Sequence, residues 1–232
     1  MTATRLVLFD IDGTLVMSGR IGSRAVKRAF HELFGIEDAT QGFFFDGKTD
    51  PGILRELLAR HGLGHRDTPA ERARFFRRYV EVLGDERSRA ETGHVHAGIL
   101  ELLAALEAIP SVAIGLLTGN IREGARIKLE RFALWQRFRF GAFGDDAETR
   151  DELVPVALER AARARGVRFE PALTYVIGDS ERDIQCARAG GAIAVAVATG
   201  GTPLDDLARR EPDALFPDLA DTARVLAALG LG

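Results

Sequence analysis

Phe9-Asp10-Ile11-Asp12-Gly13-Thr14-Leu15 is the stretch that decides how this 232-residue chain reads. It follows an apolar run, Leu6-Val7-Leu8, that suits a short buried strand, and Gly13 ends that strand. Two carboxylates two residues apart therefore fall at the carboxyl end of a strand, where open α/β sheets bind ligands. Side chains at i and i+2 share a face of an ideal strand, but a glycine turn lets the pair diverge around one reacting atom. One acid can then attack while the other handles a proton. A solvated Asp-Gly turn is the bland alternative, and such a turn has no need of Phe9, Ile11 and Leu15 around its acids.

Beyond Leu15 the pattern splits in two. From Val16 to Thr92 there is no convincing buried strand, and helices are predicted over Ser23–Phe34, Pro51–Ala59 and Pro69–Leu83, the last two with proline at the start. From Gly98 onward helices and strands alternate. A helix to Glu107 leads into a strand at Val112–Leu117, a helix at Ile121–Phe132 and a weaker strand at Phe138–Phe143. A helix at Glu152–Arg165, a strand at Leu173–Ile177, a helix at Ile184–Ala189 and a strand at Ile193–Val197 follow. A short strand and a helix across Ala214–Leu229 close the series. This alternation predicts an α/β fold: a Rossmann-like, doubly wound parallel sheet from residues 1–15 and 93–232, with residues 16–92 inserted as a helical cap.

Composition sets the class of protein. A hydrophobic share of 46% and a charged share of 28% are ordinary for a soluble globular chain. A net charge of −3 provides no footprint for nucleic acid and no drive towards an anionic membrane. The one cysteine, Cys186, excludes an internal disulfide and a cysteine-based zinc site, which fits a reducing compartment. No apolar run approaches the length of a membrane span, and the opening residues lack a secretory signal pattern. The expectation is a cytoplasmic enzyme without nucleic-acid or membrane partners; monomer and homodimer are equally compatible with the sequence.

Three other segments lie just after strands. Leu117-Thr118-Gly119-Asn120 offers a hydroxyl and backbone N–H groups suited to a phosphate oxygen, although the same residues also make an ordinary turn and N-cap. Gly178-Asp179-Ser180-Glu181-Arg182-Asp183 supplies two acids four residues apart at a strand-to-helix junction. With Asp10 nearby these oxygens describe a magnesium site rather than a zinc one, while the alternative is a helix cap and a surface ion pair. Acids converging on a phosphate also need a cation. Between Asn120 and Gly178 the lysine is Lys128, placed by its neighbours on an early turn of a helix, whereas Arg150 stands at the start of the long helix and is the preferred candidate. A solvated helix-start arginine is its alternative.

In this order the four segments resemble the haloacid dehalogenase-like hydrolase superfamily, specifically its phosphoglycolate phosphatase-like members with a helical cap after the first motif. FDIDGTL matches the first motif, LLTGN the second and GDSERD the fourth. The third departs from the usual Lys-Pro opening, with Arg150 at that place and proline only at Pro155; arginine keeps the charge and changes the geometry. The resemblance implies that Asp10 attacks phosphorus and becomes an aspartyl-phosphate, and that Asp12 protonates the leaving oxygen and later helps deprotonate water. It implies Mg²⁺ held by the Asp10 carboxylate, the Asp12 carbonyl and Asp179, with Asp183 supporting the site. Thr118, Arg150 and the amides near Gly119 and Asn120 are then expected to neutralise the transferring phosphoryl oxygens.

Phosphonate-cleaving and dehalogenating relatives generally lack an acid at the position of Asp12, so a small phosphorylated metabolite is the expected substrate. Sugar phosphomutases typically carry an Asp-Ser or Asp-Thr pair and a histidine soon after the first motif, where this chain has Met17-Ser18 and Gly22. A phosphoacceptor or binding module gains nothing from Asp12 and a cap. In the cap, Phe43-Phe44-Phe45-Asp46-Gly47-Lys48-Thr49-Asp50 places Lys48 and Thr49 as candidate substrate contacts; the alternative is an aromatic anchor with a turn and a helix cap. Arg20, near the expected hinge, is a further substrate-binding candidate.

Overall fold

The computed structural model describes residues 4–232. Strand β1 (Arg5–Phe9) stops one residue before Asp10, and the chain turns through Gly13 into β2 (Val16–Met17). Helices α1 (Ile21–Phe34), α2 (Asp50–Arg60) and α3 (Pro69–Arg89) follow, then β3 (His94–Val95), α4 (Ile99–Glu107), β4 (Val112–Leu117) and α5 (Arg122–Glu130). The remainder is β5 (Gly141–Ala142), α6 (Leu153–Arg165), β6 (Thr174–Gly178), α7 (Glu181–Ala189), β7 (Ile193–Val197), α8 (Leu204–Ala208), β8 (Ala214–Phe216) and α9 (Thr222–Ala228).

Six strands form one parallel sheet in the order β5-β4-β1-β6-β7-β8. The chain moves outward from β1 through β4 and β5, then crosses to the other side of β1 for β6. Such a reversal opens a crevice beyond the carboxyl ends of the strands. Register makes this concrete: Phe9 of β1 lies opposite Leu116 of β4 and Ile177 of β6, so Asp10, Thr118 and Asp179 emerge side by side.

The strands read as nearly continuous apolar runs because both faces are covered. Val7, Phe9, Leu116, Ile177 and Val195 pack with Leu102, Leu103 and Leu106 of α4 and Leu129 of α5. Their alternates Leu6, Leu8, Leu117, Val176 and Ala194 pack with Leu153, Val154 and Ala157 of α6 and Ile184 of α7. Burying one such leucine contributes roughly 1.5–3 kcal/mol, so a strand slipped by one residue would exchange the two faces at prohibitive cost.

Helices α1–α3 hold a separate cluster that includes Phe30, Leu54, Leu57, Phe75 and Tyr79, and it reaches the sheet domain at Ile121 and Ile127 beside and within α5. Local chemistry sets their ends. Thr49 Oγ1 accepts from Gly52 N–H (3.1 Å) and Thr68 Oγ1 from Glu71 N–H (3.2 Å), each ahead of a proline in the first turn. At the other end of α1, Gly35 takes the left-handed conformation (φ 73°) and donates to His31 O. The antiparallel pair β2–β3, Val16 opposite Val95 and Met17 opposite His94, forms the root where the helical insert leaves and rejoins the sheet domain.

Two expectations are corrected. The strand predicted at Phe138–Phe143 pairs only at Gly141 and Ala142, against Leu116 and Leu117. Phe138 and Phe140 act as anchors in opposite clusters, and the Phe140 ring fills the space where a side chain on Gly115 would stand. The helix predicted from Ile121 to Phe132 spans Arg122–Glu130, which moves Lys128 from an early turn to the last one. No helix among the described residues is long and apolar enough to cross a membrane.

Candidate active site

Asp10 continues β1: its N–H donates to Ile177 O (2.9 Å), which holds its carboxylate at the mouth of the crevice. Gly13 (φ 81°) reverses the chain, and a Cβ there would lie 2.4 Å from Asp179 Oδ2. A Cβ on Gly200, just past β7, would lie 1.6 Å from the same oxygen. Asp179 therefore sits in a slot between two glycines, and Thr199 closes the turn by donating to Gly13 O (2.6 Å).

One carboxylate oxygen from each of Asp10, Asp179 and Asp183 lies within 4.8 Å of the others, and all three residues are buried. Burial lifts the Asp10 carboxyl to about 6 against the pull of Arg150, and burial with the charges of Asp183 and Asp10 lifts Asp179 well above the carboxylate range. Among the described residues Asp10 Oδ1 has no hydrogen-bond partner. Three crowded acids, an orphaned carboxylate oxygen and a donor set without nitrogen or sulfur fit a hard divalent cation such as Mg²⁺. The Asp12 carboxylate lies outside this cluster.

Arg150 closes the cluster. It is buried in a 3₁₀ turn held by the reciprocal Thr149–Glu152 capping box. Its Nη2 hydrogen-bonds Asp183 and lies 3.3 Å from Asp10 Oδ1. Asp183 is tied by its other oxygen to Ser180 N–H (3.0 Å) and Oγ (2.6 Å), so the helix cap expected as an alternative coexists with the acidic cluster.

Asp12 faces a different set of groups. Its Oδ1 accepts from Ser18 Oγ (2.7 Å), and its Oδ2 accepts from Lys128 Nζ (2.5 Å) and Asn120 Nδ2 (3.0 Å). Burial would raise this carboxyl, yet the charge and hydrogen bond of Lys128, with the hydrogen bonds of Asn120 and Ser18, hold it below the ordinary value. Asn120 Nδ2 and N–H both donate to Thr118 Oγ1 (2.9 and 3.3 Å), which leaves the Thr118 O–H free to donate.

The loop before α2 folds over these groups. Asp50 N–H donates to Gly119 O (2.7 Å), and Asp50 Oδ2 accepts from Ile121 N–H (2.8 Å). Arg150 Nη1 donates to Gly47 O (3.0 Å), linking the same loop to the acidic cluster. Between loop and crevice lies a cavity of about 320 Å³, lined by Asp10, Asp12, Lys128, Arg150, Tyr79 and Arg20 among others. Arg20 stands at its rim, exposed, in a left-handed conformation (φ 60°) and without an ion pair among the described residues.

A description of the haloacid dehalogenase-like hydrolases matches residues 7–188, which takes in all four junctions. The chain belongs to the haloacid dehalogenase-like hydrolase family. It is 28% identical over 226 residues to a phosphoglycolate phosphatase of Synechococcus elongatus, covering 96% of this chain and 97% of that one. A phosphoglycolate phosphatase of Pseudomonas savastanoi pv. phaseolicola is 30% identical over 224 residues, 93% of this chain and 77% of that one. Among solved structures, a hydrolase from Pseudomonas syringae shares the fold with a TM-score of 0.73 and 22% identity, over 97% of this chain and 98% of that one.

In this hydrolase the tertiary structure brings Asp10, Asp12, Thr118, Gly119, Asn120, Arg150 and Asp179 to one cavity, with Asp183 directly behind Asp10 and Asp179. Two candidates from the helical insert are placed otherwise. Thr49 does not line the cavity; its oxygen caps α2, so a second polar contact for substrate is not what this side chain provides. Lys48 borders the cavity, but its ammonium pairs with Glu56 and lies 4.6 Å from the centre of the Phe43 ring. Lys128 is the opposite case. Passed over in favour of Arg150, it is buried at the heart of the site, and its place on the inward stripe of α5 with Ala125 and Leu129 was the available signal. Gly200 and Thr199 had no signal beyond an ordinary turn.

Proposed function

We propose that this protein is a Mg²⁺-dependent phosphatase, phosphoglycolate phosphatase-like, that hydrolyses the phosphate monoester of a small metabolite through an aspartyl-phosphate on Asp10. The observation that carries the reading is the separation of two acids from one motif: Asp10 has an oxygen that no described residue hydrogen-bonds, 3.3 Å from the Arg150 guanidinium, while Asp12 is tied by hydrogen bonds to Ser18, Asn120 and Lys128. One is free to attack and the other is held for proton work. The two phosphoglycolate phosphatases that match nearly the full chain support the same reaction class.

The Asp10 carboxylate, the Asp12 carbonyl and Asp179, supported by Asp183, would hold Mg²⁺, which supplies charge neutralisation for the transferring phosphoryl group. Asp10 forms the new oxygen–phosphorus bond as the ester oxygen leaves. Arg150, the Thr118 hydroxyl and the amides of Gly119 and Asn120 neutralise the phosphoryl oxygens. Asp12 in its protonated form passes its proton to the departing oxygen; the carboxylate left behind, held by Lys128, Asn120 and Ser18, then takes a proton from the water that hydrolyses the phosphoenzyme, which restores the acid. Residues 16–92 act as the cap, their loop at Gly47–Asp50 excluding water above the site, with Arg20 and Lys48 at the leaving-group end.

The test is phosphate release from p-nitrophenyl phosphate and from 2-phosphoglycolate with Mg²⁺. Turnover that disappears with EDTA and in Asp10→Asn supports the reading. A folded protein that is silent across a panel of phosphorylated metabolites overturns it.

A further inference from the structure

The site holds two buried cations where phosphoryl transfer to Asp10 accounts for one. Arg150 occupies the place between Asp10 and Asp183. Lys128 is 5% exposed, and its hydrogen bonds go instead to Asp12 Oδ2 (2.5 Å) and Asn120 Oδ1 (2.6 Å). Because Asn120 Nδ2 also donates to Asp12 Oδ2 (3.0 Å), the three side chains close a ring. In that ring Lys128 and Asn120 both hold one oxygen of Asp12, and Ser18 holds the other.

The surroundings keep Lys128 charged and in place. Burial alone would lower its pKa, but the charges of Asp12 and Asp50 raise it above the ordinary lysine value. On its open side stands Gly22 of α1, where a Cβ would lie 3.0 Å from Nζ and 3.2 Å from Cε. The bare α-carbon of Gly22 thus leaves the volume that the ammonium needs. The cap helix and the core helix α5 meet on this lysine, and it lines the same cavity as Asp10 and Asp12.

We propose that Lys128 is the positioning residue of the leaving-group step, fixing the Asp12 carboxylate through the ring with Asn120 and setting a positive charge on the side of the cavity where the ester oxygen departs. The proposal rests on the phosphatase reading above. A group that serves the departing oxygen matters most when that oxygen leaves as a strongly basic alkoxide, and least when it leaves as the weakly basic p-nitrophenolate. A residue needed only for folding or for binding phosphate affects both esters alike.

The experiment compares kcat and KM of the wild type, Lys128→Met, Lys128→Gln and Gly22→Ala on p-nitrophenyl phosphate and on 2-phosphoglycolate in Mg²⁺, with melting temperature as the folding check. Lys128→Met is expected to lower kcat/KM, which reports phosphoryl transfer and not the later hydrolysis of the phosphoenzyme that both esters share, by about 100-fold or more on 2-phosphoglycolate and by less than about tenfold on p-nitrophenyl phosphate. Lys128→Gln, which keeps a hydrogen-bonding side chain without the charge, and Gly22→Ala, which crowds Nζ, are expected to show the same selectivity in smaller measure. These two keep the proposal testable if Lys128→Met does not fold. Equal losses of kcat/KM on the two esters, or no loss on either, overturn the role of Lys128 in the leaving-group step and leave the phosphatase reading intact. A wild type that hydrolyses neither ester overturns both.

Discussion

Gly119→Ala measures what the closed loop contributes, because its damage falls on loop seating rather than on backbone conformation. A Cβ at Gly119 would stand 2.2 Å from the Lys48 carbonyl oxygen and 3.1 Å from Thr49 Cα, and both are main-chain atoms with no rotamer to yield. Restoring ordinary contact moves the loop back by about 1 Å, in an interior packed densely enough to transmit that strain. A shift of that size breaks the two hydrogen bonds that seat the loop, Asp50 N–H to Gly119 O (2.7 Å) and Ile121 N–H to Asp50 Oδ2 (2.8 Å). At about 1 kcal/mol for each bond, and about 1 kcal/mol or more for a buried carboxylate left without its donor, the closed state loses roughly 3 kcal/mol. That corresponds to about a 100-fold drop in the closed-to-open ratio. Steady-state kcat/KM on 2-phosphoglycolate should fall by about that factor, and amide exchange over residues 45–52 should quicken in parallel. Wild-type kcat/KM would refute the reasoning. So would a large loss of activity with unchanged exchange over the loop, which would place the damage at Thr118 instead.

Two further outcomes follow from the charges. The Asp50 carboxyl is raised from 3.8 to about 6 by burial, against the pull of Lys128. A raised folded-state value means that its contribution to stability is fully present below the unfolded value and is lost as pH rises through about 6. Asp50→Asn removes this titration, so between pH 4 and pH 8 its stability should gain on the wild type by roughly 3 kcal/mol, read from urea unfolding; a pH-independent difference contradicts it. Mg²⁺ at 100-fold its dissociation constant should stabilise the wild type by about 2.7 kcal/mol, or roughly 5–10 °C in melting temperature. Asp179→Asn should lose most of that shift, and an equal shift in both proteins would remove Asp179 from the metal site.

Much of the site was legible because its parts are local. A strand run, an acid and a glycine are neighbours in the chain, so Leu6 to Gly13 announces both β1 and the acids at its end. The same holds for Val112–Asn120 and Thr174–Asp183, where each apolar run stops at the residues that later face the cavity. The third element was harder, because a cation at the start of a helix is common whether or not it is functional. Arg150 is distinguished only by the burial that brings it against Asp183 and Asp10. The weak strand at Phe138–Phe143 misled for a related reason: its aromatics are apolar because they anchor two clusters, not because they extend a ladder.

By itself the sequence determined the strands around Leu6–Leu8, Val112–Leu117, Leu173–Ile177 and Ile193–Val197 and the segments after the first three that border the cavity, since periodicity and glycine turns are properties of adjacent residues. Only the tertiary structure decided which groups meet. The pairing of β1 with both β4 and β6 joins residues more than a hundred positions apart, and with it Asp10 reaches Thr118 and Asp179. Helix packing then turned Lys128 inward onto Asp12, while loop closure set the Lys48 backbone against Gly119. These contacts depend on close packing across the whole molecule. No local pattern records which distant atom will fill the space beside a glycine or a lysine.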